Sequence, residues 1–143
     1  MAFPADQKVI EATIRVRFAE TDMMGIVHHG AYIVYFEEGR SEYSRQVGAP
    51  YAELEDSGHS LAVSEVRARY IAPARYDDVL KIRTWVKKIG SRGVTFGYEI
   101  IQLESGQTLV RGESHHICVD HNGQVKHIPE PWLSKLREGA GLL

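Results

Sequence analysis

The sequence predicts one α+β domain, an antiparallel sheet of five strands around a single long helix. Three observations carry this. Five segments alternate apolar and polar residues, the period of a half-buried strand. One long stretch instead repeats its apolar residues every three to four positions, the period of an amphipathic helix. The later strands are joined by short turns, which connect antiparallel neighbours.

The first strand spans Val9 to Phe18, where Ile10, Ala12, Ile14, Val16 and Phe18 alternate with Glu11, Thr13, Arg15 and Arg17. A loop from Ala19 to His28 breaks the pattern at Gly25. From about His29 the period lengthens, with Tyr32, Tyr35, Phe36, Gly39, Tyr43 and Val47 on one face. That makes a helix of about five turns, stopped by Gly48 and Pro50. Tyr51 to Asp56 is a second short helical piece. Strands follow over Leu61 to Ile71, Val79 to Ile89, Val94 to Ile100 and Leu109 to Val119, with a hairpin turn at Ser105-Gly106 and a turn signal at Asn122-Gly123. On the third strand Leu80, Ile82, Thr84 and Val86 share one face and Lys81, Arg83, Trp85 and Lys87 the other. A short terminal helix starts near Pro131. The four later strands are expected to form a meander, with the long helix packed on the concave face. One helix leaves sheet surface over, so a second subunit is expected against the rest of the sheet or its edge.

The 143 residues fit one domain, read as 1–143, with no repeat, linker or low-complexity tract. An apolar share of 43% supports a core without metal or disulfide help. A net charge of −2 argues against a general nucleic-acid partner, although a local basic patch stays open. The lone Cys118 cannot form an intrachain disulfide. No secretory leader is expected in Met1-Ala-Phe-Pro-Ala-Asp6, and no run approaches a membrane span. The expectation is a cytoplasmic protein with no membrane partner.

Chemistry concentrates in Ala19-Glu-Thr-Asp-Met-Met-Gly-Ile-Val-His-His-Gly-Ala-Tyr-Ile-Val-Tyr-Phe-Glu-Glu-Gly-Arg40. Asp22 lies in the loop between strand and helix, and His28 and His29 follow within seven residues. A carboxylate beside the free N–H groups of a helix start is a minimal kit for attacking a carbonyl. Asp22 can act as nucleophile or as general base. An Asp before a helix is most often an N-cap, but Asp22 stands six or seven residues early for that. The His29 side chain is equally readable as catalytic or as a pocket histidine that orders the loop. Tyr32, Tyr35 and Phe36 are read as core, with Tyr32 the best placed to line a substrate pocket. No metal is expected: His28, His29, His115, His116, His121 and His127 lack the helical i, i+4 spacing of zinc sites. His115 and His116 face opposite sides of a strand.

This segment, with Thr21-Asp22, Gly25-Ile26-Val27, His29, Tyr32, Tyr35-Phe36-Glu37 and Arg40, resembles the hotdog-fold thioesterases of the 4-hydroxybenzoyl-CoA thioesterase-like group. A second matching run, Tyr70-Ile71-Ala72-Pro73-Ala74-Arg75-Tyr76-Asp77-Asp78, mainly supports the fold. The resemblance covers roughly Val9 to Val119 and implies a hotdog domain that hydrolyses an acyl-CoA to a free acid and coenzyme A. It implies Asp22 and His29 as the catalytic pair, the latter through a backbone N–H that polarises the thioester carbonyl. One such donor is worth about 2.7–4 kcal/mol. Gly25, Val27 and Tyr32 then line the substrate, Gly25 by letting the loop turn tightly.

The resemblance also implies a pocket built between two subunits of a homodimer or homotetramer. Ser64 and Glu65 are the candidate contacts on the strand Leu61 to Arg69, although a strand glutamate commonly faces solvent. It implies a basic cluster for the coenzyme A phosphates, with Lys88 and Arg92 as candidates. These cations are equally readable as solvated edge charges. Coenzyme A is part of the substrate, and no separate cofactor is expected. Two rival activities share the fold: a hydratase or dehydratase, and a non-catalytic acyl-CoA or acyl-carrier binder. The aromatic helix start disfavours the first, and the presence of Asp22 with its whole motif disfavours the second.

Overall fold

Alternating apolar residues produce five strands in the computed structural model, which describes residues 6–142. They are β1 (Ile10–Arg15), β2 (His59–Tyr70), β3 (Val79–Ile89), β4 (Gly93–Gln102) and β5 (Thr108–Asp120). All pairs are antiparallel, in the order β1-β3-β4-β5-β2. Only β3, β4 and β5 form a meander, which corrects the four-strand expectation. The chain leaving β2 stays with β5, because Ile71 N–H and Ala72 N–H both donate to the Leu109 carbonyl, at 2.8 and 3.1 Å. Residues 71–78 then cross to β3 through Pro73, whose missing N–H suits it to a connection rather than a ladder. β2 therefore forms one edge of the sheet and β1 the other.

β1 stops at Arg15, short of the expected Phe18. Val16 is buried and its N–H donates to the Asp78 carbonyl at 2.8 Å, turning the chain off the ladder. Phe18 opens a 3-10 turn, Phe18–Glu20, and is 75% exposed, edge-on to Tyr76.

The long helix, α1, spans Ala31–Gln46 and begins two residues later than expected. His28 holds the chain back: its Nδ1 accepts from Gly30 N–H at 3.1 Å and its carbonyl from Ala31 N–H at 3.0 Å. Gly48 ends the helix region at φ +80°, a conformation that glycine adopts freely. Two short helices follow where the sequence predicts them, α2 (Tyr51–Asp56) and α3 (Trp132–Gly139).

All six residues of the predicted α1 stripe are buried. Phe36 stacks on Tyr98 with ring centroids 4.3 Å apart and planes 7° from parallel. Glycines allow that approach. A Cβ at Gly39 would lie 2.5 Å from Thr84 Oγ1 and 2.7 Å from Ile82, and one at Gly112 would lie 2.5 Å from both the Arg67 carbonyl and the Phe36 ring. α1 packs on β1 and β3, leaving the inner face over β5 and β2 largely uncovered by it. On β3 the faces divide as expected, with Leu80, Ile82, Thr84 and Val86 all buried. The outer face carries ion pairs, among them Arg83–Glu99 and Arg111–Glu99 at 3.3 Å each and Lys87–Glu113 at 2.7 Å.

Gly112→Ala is expected to destabilise the fold by about 1–3 kcal/mol through overpacking against backbone and the Phe36 ring. Gly90→Ala, whose nearest new contact is 3.9 Å away, is expected to stay within about 0.5 kcal/mol. Urea denaturation of the two variants measures the difference.

Candidate active site

The loop that carries Asp22 is a small hairpin. Thr21 bridges Val27, Asp22 N–H donates to the Ile26 carbonyl at 2.8 Å, and Gly25 N–H donates to the Asp22 carbonyl at 3.0 Å. Gly25 sits at φ +78°, so the tight turn calls for glycine as expected. The hairpin is stapled on both sides. His28 N–H donates to the Glu20 carbonyl at 3.0 Å, and Val27 N–H donates to the Ala74 carbonyl at 2.9 Å. Asp22 is exposed, and its Oδ1 accepts from Met24 N–H at 2.8 Å. That local bond makes it an Asx-turn residue rather than a helix cap. Oδ2 has no hydrogen-bond partner among the described residues.

Asp22, Val27, His29 and Tyr32 line one groove of about 400 Å³. Its opposite wall is Tyr70, Ile71 and Pro73, from the end of β2 and the crossing segment. Tyr70 donates its hydroxyl to the His29 carbonyl at 3.0 Å, fixing the peptide that leads into α1. The His29 N–H makes no hydrogen bond among the described residues, and its imidazole is exposed. Tyr32 is buried, and its hydroxyl oxygen accepts from Ala74 N–H at 3.2 Å. Asp22, with one carboxylate oxygen uncommitted, and His29, with its N–H uncommitted, thus border one groove.

Of the other candidates, Gly25 shapes the hairpin behind this groove. Ser64 and Glu65 sit elsewhere on β2, at a bulge between Val63 and Glu65. Ser64 Oγ donates to the His115 carbonyl at 3.1 Å, and Glu65 accepts from Arg67 Nε. Lys88 lies near the end of β3, and Arg92 lies in the β3–β4 turn, 3.4 Å from His127 Nε2. None of these four lines the Asp22 groove within one chain. Among the described residues no group of three or more His, Cys, Asp or Glu could hold a metal ion. No helix of the described chain is long and apolar enough to cross a membrane.

Sequence reasoning missed the wall at Tyr70–Pro73, although the second motif run contains it. It also missed a buried polar chain under α1. Tyr98 OH lies 2.6 Å from Ser114 Oγ, which lies 2.7 Å from His116 Nε2. His116 Nδ1 lies 3.4 Å from the Leu61 carbonyl. A carbonyl only accepts, so Nδ1 carries the proton, Nε2 accepts from Ser114, and Ser114 accepts from Tyr98. His116 is 3% exposed, and burial pushes its pKa down to about 4, with the Arg40 charge adding to the effect. The imidazole is therefore neutral at pH 7.

The chain is similar to known thioesterases in sequence and in fold. The thioesterase-like superfamily profile matches residues 16–136. A candidate esterase of Aquifex aeolicus is 34% identical over 124 residues, 87% of this chain and 94% of the relative. The acyl-CoA thioester hydrolase YbgC of Escherichia coli O157:H7 is 30% identical over 107 residues, 75% of this chain and 79% of the relative. The structure of the DHNA-CoA thioesterase of Staphylococcus aureus superposes with a TM-score of 0.86 at 27% identity, covering 93% of this chain and 89% of that one.

The depressed His116 pKa has a consequence for stability. In the unfolded chain the histidine takes a proton near pH 6.5, in the fold only near pH 4. The stability associated with the neutral ring is complete above pH 6.5 and is lost as pH falls toward 4, by up to about 3 kcal/mol. His116→Asn, which does not titrate, is expected to flatten this part of the stability curve, measured by urea unfolding between pH 7.5 and 4.5.

Proposed function

The chain belongs to the thioesterase-like superfamily, has the hotdog fold and is an acyl-CoA thioester hydrolase, and on that premise we propose that Asp22 and the His29 N–H carry out the chemistry. The observation that supports this is their opening on one groove with hydrogen-bonding capacity unused. The thioester carbonyl accepts from the His29 N–H, which stabilises the oxyanion as it develops. The dipole of α1 adds to that stabilisation. Asp22, with Oδ1 tied to Met24, presents Oδ2 either to the carbonyl carbon or to a water. As nucleophile, Asp22 bonds to the acyl carbon, the C–S bond breaks to release coenzyme A thiolate, and water then hydrolyses the acyl–Asp22 anhydride. As base, Asp22 takes a proton from the water that adds at the acyl carbon, and the thiolate leaves with a proton returned to it. Both routes end in a free acid and coenzyme A. The Tyr70 bond to the His29 carbonyl fixes the peptide that follows the donor.

Asp22→Asn keeps an acceptor for Met24 N–H, so it is expected to fold normally while kcat falls by about 10²–10⁴ with little change in KM. Free-thiol release from a panel of short, long and aromatic acyl-CoAs measures this. Full turnover by the variant rules out the role given to Asp22.

The groove is open on the side of β2, and we propose that a second copy closes it in a homodimer. β2 is a long sheet edge, and Val63, Tyr70 and Ile71 are 52%, 48% and 47% exposed along it. Antiparallel pairing of β2 with its copy about a two-fold axis, centred between Val66 and Arg67, sets Val63 against Tyr70 of the partner subunit. It extends the sheet and buries both apolar ends in one isologous contact. Ser64 and Glu65 then come near the Asp22 groove of the other copy. Lys88 and Arg92, at the β3–β4 end of the sheet, are proposed to meet the coenzyme A phosphates. Two charges at this contact, as in Val63→Lys, are expected to shift sedimentation toward monomer and to lower activity in parallel. A fully active monomer refutes the shared groove.

A further inference from the structure

We propose that a second cavity, under the middle of α1, is a carboxylate-binding site that receives the far end of the acyl group and makes Arg40 a specificity-determining residue. This rests on the thioesterase reading and on the paired β2 edges.

The cavity encloses about 310 Å³ between α1 and the uncovered inner face of the sheet. Its polar wall comes from one stripe of α1, Arg40, Ser41 and Ser44, at the three- and four-residue spacing that stacks side chains on one helix face. Its apolar wall is Leu61, Val63 and Phe96, with buried His116 in the floor. Arg40 is half-buried and forms no ion pair with a carboxylate among the described residues. Its guanidinium faces the Tyr98 hydroxyl, which leaves further N–H donors for a ligand. The Ser41 and Ser44 hydroxyls have no hydrogen-bond partner among the described residues, and Ser44 is buried. A partly desolvated cation without a carboxylate partner is costly, and an arginine with spare N–H donors beside two uncommitted hydroxyls suits an anion with two oxygens. Glu37 also borders the cavity, but it is exposed and equally borders the neighbouring hollow that holds Arg15 and Arg17. It stands at the rim. The neutral His116 adds no second positive charge, so Arg40 is the cation among the lining residues, with the Glu37 carboxylate at the rim.

The register of the proposed dimer connects this cavity to the reaction. Val63 lines the cavity, and Tyr70 lines the Asp22 groove. Pairing Val63 with Tyr70 of the partner subunit makes each groove continuous with the other copy's cavity. An acyl group whose thioester lies at Asp22 then points its far end at the partner's Arg40. The substrate class is an acyl-CoA ending in a second carboxylate, with an apolar stem against Leu61 and Phe96.

The test compares adipoyl-CoA with hexanoyl-CoA and suberoyl-CoA with octanoyl-CoA, by thiol release, in the wild type and in Arg40→Gln and Arg40→Lys. In parallel, the His116 ring resonances are followed by NMR during titration of the wild type with free adipate and with hexanoate. The wild type is expected to favour the carboxylate-ended partner of each pair by about tenfold or more in kcat/KM. Arg40→Gln abolishes that ratio and Arg40→Lys keeps part of it. Adipate, and not hexanoate, shifts the His116 resonances. Turnover of all four thioesters at equal kcat/KM, with no adipate shift, overturns this inference and leaves the thioesterase reading intact. An adipate shift with no turnover of any thioester overturns the thioesterase reading and keeps the carboxylate site. An adipate shift without substrate preference assigns the site to a free acid and overturns its link to the acyl end.

Discussion

The contact on which everything else depends is Phe36 lying flat on Tyr98 above Gly112. An aromatic ring stacked at 4.3 Å leaves almost no freedom for the helix that carries it. Gly39, pressed on Thr84 and Ile82 less than one turn further along, removes the remaining rotation. With the helix axis fixed, its first turn must meet the 21–27 hairpin and the end of β2. The groove that joins Asp22 to His29 is therefore a consequence of packing further along the helix, about two turns from where the chemistry is proposed.

The same contact determines what the helix cannot do. Seated mainly over β1 and β3, α1 does not reach across all five strands, so the inner side of the edge strand β2 is only partly covered. The sequence places side chains there that accept this. Val66 and Ala68 are only partly buried, and the residues beneath are polar but saturated, in the chain Tyr98–Ser114–His116. A buried imidazole with both nitrogens engaged is tolerable without charge. The partly covered inner side of β2 and its unpaired edge are one surface.

Much of the fold was legible in the sequence because it follows from period. The α1 stripe and the two faces of β3 need no tertiary knowledge. The position of β2 was not legible. Nothing in His59–Tyr70 says whether its neighbour is β3 or β5, since a strand's alternation fixes its faces and leaves its partners open. Local chemistry moved other boundaries: the His28 ring capped Gly30 and delayed the helix, and Val16 turning to Asp78 ended β1 early. For the site, Asp22, Val27, His29 and Tyr32 were readable because they lie close together in one motif. Tyr70 was harder, since its bond to the His29 carbonyl joins residues 41 positions apart. Arg40 and His116 were invisible as a pair, because only the fold sets a helix residue over a strand near the other end of the chain.

An exposed Asp22 is consistent with a group that must react. A carboxylate buried in a finished pocket would be paired or protonated. On the role proposed for it, the first half of the job is done within one chain: Met24 holds one oxygen, the hairpin holds the backbone, and Tyr70 holds the peptide next to the proposed donor. The second half, drying the groove and raising the force of each hydrogen bond in it, needs a wall that this chain does not supply to itself. On the role proposed for it, the carboxylate stays solvated until two chains meet, without the cost of burial in the free monomer. Closure by an apolar strand edge then desolvates it where the substrate lies. In that proposal Asp22, the open groove and the unpaired edge of β2 share a single division of labour.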